Sequence, residues 1–121
     1  MIDFKTLFNT QPTHEELSSA FGSIEADITY TDDRDIVRYF SPYRIFERPA
    51  SCLNEKLYDC HPEKVHPEVK EMLDGFRDGS KDTVSYENVS NRNRKVRVCY
   101  HAMRDKGGVF LGCLEVATYR D

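Results

Sequence analysis

The chain begins with two short patterns that are typical of amphipathic helices. The first has apolar residues at the i, i+3, i+4 spacing of one helix face, at Phe4, Leu7 and Phe8. Thr13 then stands where it can cap a second helix, with Glu16 placed to complete a capping box. The second helix carries an apolar stripe formed by Leu17, Ala20, Phe21 and Ile24. We expect this stripe to pack against the rest of the domain or against a second copy of the chain.

A hairpin and an irregular segment come next. β-Branched and aromatic residues fill positions 28–31 and 36–40, and the polar turn 32–35 separates them. This pattern predicts two antiparallel strands. Ser41 followed by Pro42 predicts a short helix through Phe46, because proline fits the first helical position.

The longest predicted helix begins near Pro62 or Pro67 and ends at the Gly79 stop. Its apolar residues recur at helical spacings, at Val65, Val69, Met72, Leu73 and Phe76. Three strands then follow, over residues 83–89, 95–103 and 110–118. The order of elements predicts an α+β domain in which short helices and one longer helix cover one face of an antiparallel sheet.

Composition narrows the class of protein further. The chain of 121 residues has room for one domain. Its net charge of −4 argues against a general nucleic-acid binder, which needs a cationic surface. We see no secretion signal and no apolar run near the roughly 20 residues that a membrane helix needs. We therefore expect a cytoplasmic protein with free thiols at Cys52, Cys60, Cys99 and Cys113.

Several segments of the chain resemble the PAS domain family. They are Asp27–Asp32, Val37–Pro42, Arg44–Pro49, Cys60–Pro62, Val65–His66, Tyr100–Asp105 and Leu111–Val116. The resemblance covers residues 25 to 119 and is to a bacterial branch that is often found beside hemerythrin-like domains. It implies a five-stranded antiparallel sheet and a role in sensing or protein association. We accordingly expect a PAS domain over residues 25–121, preceded by an N-terminal helical extension over residues 1–24 that takes part in dimerisation.

A ligand pocket in such a fold lies between the sheet and the helices. The alternation of the strands and the periodicity of the long helix suggest the residues that line it. These are Tyr39, Phe46, Val69, Leu73, Val98 and Tyr100. Residues in this pattern more often form a simple core than a ligand pocket.

His66 is the candidate with the most specific chemistry. It shares the inward flank of the long helix with Val69 and Leu73, and haem-binding PAS domains commonly place their axial histidine on this helix. The alternative is that His66 caps the helix. Zinc could also be held by Cys52, Cys60, His61 and His66, although their spacing does not follow structural zinc sites. A flavin is not expected, because none of the cysteines lies in the Asn-Cys-Arg-Phe-type motif of the flavin-adduct class.

The sequence thus leaves three functions open. The first is a PAS sensor that binds a small ligand or a partner protein and works as a homodimer without catalysis. The second is a haem-based gas or redox sensor with His66 as the axial ligand. The third is a structural association domain with no ligand. No motif indicates an enzyme, and the output partner is unknown.

Overall fold

The computed structural model describes residues 12–120, and these form one five-stranded antiparallel sheet with two α-helices and three short 3₁₀ helices. The strands are β1 (Asp27–Asp32), β2 (Val37–Phe40), β3 (Thr83–Asn91), β4 (Arg94–Arg104) and β5 (Phe110–Tyr119). Their order across the sheet is β2-β1-β5-β4-β3. The predicted fold class is confirmed, and the helix expected around Phe4, Leu7 and Phe8 lies outside the described residues.

The hairpin of β1 and β2 contains a bulge that changes which side chains face the core. Tyr39 pairs with Tyr30, but Val37, two residues earlier, pairs with the adjacent Thr31. One extra residue in β2 reverses the facing of the residues that follow it. Val37 and Phe40 therefore pack in the core, whereas Tyr39 turns to the opposite face.

The segment after β2 crosses the sheet in an irregular conformation. The short helix predicted from Ser41 to Phe46 is wrong, because other groups bind the main chain here. The hydroxyl of Ser41 accepts a hydrogen bond from the Ile28 N–H at 2.8 Å. One carboxylate oxygen of Asp27 accepts hydrogen bonds from the Ile45 and Phe46 N–H groups, both at 2.9 Å. Three short 3₁₀ turns then lead to the long helix, at Ala50–Cys52, Leu57–Cys60 and Glu63–Val65.

The long helix, which we call α2 (His66–Asp78), closes the inner face of the sheet. Pro67 occupies its first turn, and Gly79 ends it with a φ of 85°, a conformation that glycine adopts without strain. Val69, Met72, Leu73 and Phe76 are buried and pack with Val37, Val96 and Val98 in one core. The predicted periodicity and glycine stop are confirmed.

The helix that precedes the sheet, α1 (His14–Gly22), has the predicted capping box between Thr13 and Glu16. None of its side chains is fully buried. The ring of Phe21 packs beside Tyr39, with 6.1 Å between ring centroids, while Leu17 and Ile24 remain exposed. Within the described residues, no helix is long and apolar enough to cross a membrane.

Candidate binding cavity under the sheet

A cavity of about 520 Å³ lies between the inner face of the sheet, α2 and the segment that follows β2. Most of its wall is apolar, with contributions from Phe46, Val65, Val69, Met72, Val89 and Val98. One end is polar and is formed by Arg48, His61, Tyr100 and Glu115. The cavity therefore combines an apolar body with a small set of converging polar groups, which is the usual construction of a small-molecule site.

Strand pairing places two of the polar residues side by side. Tyr100 of β4 lies directly opposite Glu115 of β5, and both side chains point inward. Glu115 is 2% exposed, an unusual position for a charged residue in the middle of a central strand. Burial, followed by the charge of Glu115, raises the pKa of the Tyr100 phenol well above its usual value. Tyr100 thus stays a neutral hydroxyl at physiological pH.

Arg48 reaches the polar end from the irregular segment after β2. Its Nη2 lies 3.4 Å from the Oε2 of Glu115 and 3.5 Å from the Nε2 of His61. Burial, the largest single influence, would lower the pKa of Arg48, but Glu115 together with Tyr100, Asp27 and Cys60 outweighs it and raises that pKa. The guanidinium is therefore charged and forms a buried ion pair with Glu115.

His61 completes the polar end as a neutral imidazole. Its Nδ1 lies 2.9 Å from the Leu57 carbonyl and donates a hydrogen to it. Its Nε2 then acts as an acceptor, 3.3 Å from the Tyr100 hydroxyl. Burial, and to a lesser degree the Arg48 charge, lowers the pKa of His61, while Glu115 opposes this shift. These contacts fix one tautomer and leave the Nε2 lone pair facing the other polar groups.

Cys60 lines the cavity as a protonated thiol. Its Sγ lies 3.8 Å from the Cys52 carbonyl. Burial, followed by a hydrogen bond with the Cys52 side chain, raises the pKa of Cys60 to about 12. A thiol with such a pKa is a poor nucleophile. Among residues 12–120 we find no cluster of metal-ligating side chains, so the zinc hypothesis gains no support there.

The sequence-predicted site residues separate into two groups. Phe46, Val69, Val98 and Tyr100 line the cavity. Leu73 is buried in the core and does not reach the wall of the cavity. Tyr39 does not line it either, contrary to expectation, because the bulge in β2 turns its ring toward α1.

His66 also lies away from the cavity. It is the first residue of α2, and its Nε2 lies 2.8 Å from the main-chain carbonyl of His61, to which it donates a hydrogen bond. That bond occupies the nitrogen that a haem iron would need. His66 does not cap the helix, because Val65 occupies the N-cap position and the cap has no side-chain hydrogen bond. The bond to the His61 carbonyl fits a structural histidine and gives the haem hypothesis no support.

Sequence reasoning assigned no role to Arg48 or Glu115, and it considered His61 a weaker ligand candidate than His66. Both charged residues stand in segments that carry the family resemblance, Arg44–Pro49 and Leu111–Val116. The available signal was a charged residue in the alternating part of a central strand, at Glu115. It becomes informative once Arg48 is known to lie beside it.

Residues 17–118 match a family model described as a PAS domain. A search of curated proteins found no match. A solved C-terminal domain from Streptococcus mutans is 29% identical, with a TM-score of 0.80 and coverage of 90% of each chain. The PAS domain of a protein from Colwellia psychrerythraea is 8% identical, with a TM-score of 0.63 and coverage of 87% of this chain and 94% of that one. The Vibrio cholerae VqmA dimer structure is 11% identical, with a TM-score of 0.63 and coverage of 92% of this chain and 52% of that one.

Proposed function

The chain belongs to the PAS domain family, a family of sensory and signalling modules, and we propose that it is a non-catalytic sensor that binds a small ligand in the cavity beneath its sheet. The observation that carries this proposal is the polar end of the cavity. Charged and polar residues that only stabilised a filled core would have their hydrogen-bonding atoms satisfied by one another. Five buried side-chain atoms lack a hydrogen-bond partner among the described residues, and two of them, Arg48 Nη1 and Glu115 Oε1, belong to residues that line the cavity. The other three, on Asp27, Thr29 and Tyr39, belong to residues outside it.

The proposal is tested by native mass spectrometry of gently purified protein. We expect the wild type to carry a bound small molecule. Val69→Phe should lose it, because Val69 lines the cavity and a larger side chain would occupy part of the space. Val109→Phe is the matched control, since Val109 is 60% exposed and lies outside the cavity.

Val89→Phe gives a second test in case Val69→Phe does not fold, because Val89 also lines the cavity but from β3. A wild type that carries no small molecule, together with a Val69→Phe variant that is more stable than the wild type, would contradict the proposal. That outcome would favour a ligand-free association domain.

We also propose that the sensor works as a homodimer formed through α1. The supporting observation is the set of large apolar side chains that α1 and the following turn leave partly in solvent, Leu17, Phe21 and Ile24, each between 38% and 48% exposed. The structure of similar fold from Vibrio cholerae is described as a dimer. The division at residues 1–24, the cytoplasmic location and the hemerythrin-linked branch stay predictions.

The dimer is tested by light scattering. Leu17→Glu combined with Ile24→Glu should give monomers, as should deletion of residues 1–24, because both remove apolar area from the proposed contact. Val109→Glu is the control, since Val109 is exposed but lies in the turn just before β5 and not on α1. A dimer that persists both in the double substitution and in the deletion of residues 1–24 would contradict the proposed dimer contact.

A further inference from the structure

Two buried atoms at the polar end of the cavity are of opposite hydrogen-bonding type. Arg48 Nη1 is a donor and Glu115 Oε1 is an acceptor, and neither atom makes a hydrogen bond by distance and angle among the described residues. His61 Nε2 lies 3.8 Å from Glu115 Oε1, and the Tyr100 hydroxyl interacts with the Glu115 side chain. The side chains of Arg48 and Glu115 are 10% and 2% exposed. Leaving a charged group's donor or acceptor unsatisfied in a buried site is costly, so each atom favours a ligand group of the complementary type.

The charges at this end of the cavity cancel. The Arg48 guanidinium and the Glu115 carboxylate are paired at 3.4 Å, and His61 and Tyr100 are neutral. An anion that approached Arg48 would also lie beside Glu115, and a cation would meet the opposite conflict. A buried net charge without a partner is strongly unfavourable. At this end of the cavity the electrostatics therefore favour a neutral ligand group. Two further carboxylates line the cavity elsewhere: Glu47, whose side chain is exposed, and Glu68, which accepts a hydrogen bond from the Tyr86 hydroxyl.

The body of the cavity favours an apolar ring system. Phe46, Val69, Val89 and Val98 form opposing apolar walls. The rings of Tyr86 and Tyr100 meet edge to face, with 6.1 Å between their centroids, and so add flat aromatic surface. The volume of about 520 Å³ accommodates a molecule of two or three fused rings.

From these three observations we infer that the ligand is a neutral, ring-shaped molecule that carries a hydrogen-bond acceptor next to a donor, as in a lactam. Its carbonyl oxygen accepts from Arg48 Nη1, and the adjacent N–H donates to Glu115 Oε1. This inference rests on the proposed function, because it names the ligand chemistry of the same cavity. It makes Arg48 and Glu115 the residues that determine ligand specificity.

The experiment compares probes that differ in one group. The first probe is phenanthridin-6(5H)-one, a three-ring lactam, and the second is its N-methyl derivative, which keeps the carbonyl but lacks the donor. Phenanthrene-9-carboxylate tests whether the site takes an anion. Isothermal titration should give a Kd for the N-methyl probe that is at least about tenfold weaker than that for the lactam, because Glu115 would lose its partner.

The matched variant is the double substitution Arg48→Met and Glu115→Met. It replaces the ion pair with apolar side chains and leaves no unpaired charge, so the fold is expected to tolerate it. The double variant should bind both neutral probes alike. If the N-methyl group weakened binding by bulk alone, the difference would persist in the double variant.

The outcomes separate the two proposals. A preference for the lactam in the wild type that disappears in the double variant supports the inference. Equal binding of the lactam and the N-methyl probe, tighter binding of the carboxylate, or a preference that persists in the double variant overturns the inference and leaves the proposed ligand-binding function standing. Failure of all three probes to bind the wild type overturns the inference, and the proposed function is then decided by the native mass spectrometry of the wild type and Val69→Phe.

Discussion

At the scale of single residues, His61 links the cavity to pH. Its imidazole is buried, its Nδ1 donates to the Leu57 carbonyl, and its Nε2 faces Arg48, Tyr100 and Glu115. Burial lowers the pKa of His61 in the folded protein below the value near 6.5 that it has when exposed. As the pH falls through about 6.5, the unfolded chain therefore takes up this proton before the folded chain does.

We predict from this order of protonation that His61 makes the protein less stable in mild acid. The free energy of unfolding of the wild type should decrease from pH 7.5 to pH 5.5, and it should decrease less in His61→Gln. Glutamine can keep both a donor and an acceptor at this position but has no proton to gain in this range. Urea denaturation at the two pH values measures the difference. Parallel losses in the two proteins would show that His61 is not the group responsible.

Gly112 provides a second test at a single residue. It lies in β5 opposite Asp32 and Met103, with a φ of 153°, and a Cβ atom added there would clash with the Thr31 carbonyl oxygen. We predict that Gly112→Ala destabilises the protein by about 3 kcal/mol, because main chain must move to admit the methyl group.

The control for this substitution is Gly108→Ala. Gly108 has a φ of 87° but open space around its Cβ position, so its cost should be limited to the backbone conformation, about 1 kcal/mol. Chemical denaturation measures both variants. If Gly112→Ala cost no more than Gly108→Ala, close packing of β5 against β1 would not be the reason for this glycine.

Single residues also show where sequence reasoning reached its limit. Val98 and Tyr100 were expected to face inward because β4 alternates strictly, and they do. β5 is different: Leu114 and Val116 are the larger apolar residues, yet Cys113, Glu115 and Ala117 face the core. Both faces of this strand carry apolar residues, so hydrophobicity does not decide which face turns inward. The sequence therefore shows a charged residue in β5 at Glu115, but it does not predict that this side chain faces the core.

At the scale of elements, α1 is held by its cap more than by its packing. The Glu16 N–H donates to the Thr13 hydroxyl at 3.0 Å, and the Glu16 carboxylate accepts from the Thr13 N–H at 2.8 Å. No side chain of the helix is fully buried. The stability of α1 should therefore be separable from that of the sheet.

We predict that Thr13→Ala loosens α1 without changing the global free energy of unfolding. Losing the cap should cost the helix about 1 kcal/mol, which corresponds to roughly fivefold faster amide exchange in its first turns. Hydrogen exchange measures this, with β4 amides as the internal reference. Ser18→Ala, in the middle of the same helix, should not accelerate exchange. A global loss as large as the local one would instead make α1 an integral part of the fold.

Elements with strong local signals were the ones that could be predicted. α2 has helical periodicity, a proline in its first turn and a glycine stop, so its existence and its end at Asp78 follow from neighbouring residues. The segment after Ser41 has an equally good local start signal but no helix. Asp27, eighteen positions before Ile45, accepts hydrogen bonds from the N–H groups of Ile45 and Phe46. A contact at that separation leaves no local pattern in the sequence.

At the scale of the whole molecule, two arginines fasten the irregular segment to the sheet and so shape the cavity. Arg44 Nη1 lies 2.7 Å from Asp27 Oδ1 on β1, and Arg48 pairs with Glu115 on the neighbouring strand β5. Between these arginines, Phe46 reaches the cavity wall. The same contacts that replace the predicted helix therefore hold Phe46 and Arg48 in the cavity wall.

We predict that Asp27→Ala destabilises the protein by about 3–5 kcal/mol, since it leaves the Arg44 charge and two N–H groups without their partner. The control is Arg97→Ala, which breaks the 2.9 Å pair with Glu87 on an exposed surface and should cost at most about 1 kcal/mol. Denaturant unfolding measures both. If Asp27→Ala does not fold, Asp27→Asn keeps an acceptor oxygen and should give an intermediate loss of stability.

In either Asp27 variant the Ile45 and Phe46 amides should exchange faster, because they lose their acceptor or keep a weaker one. Unchanged exchange there would mean that Asp27 does not hold this segment in place, and the cavity would then owe its shape to other contacts.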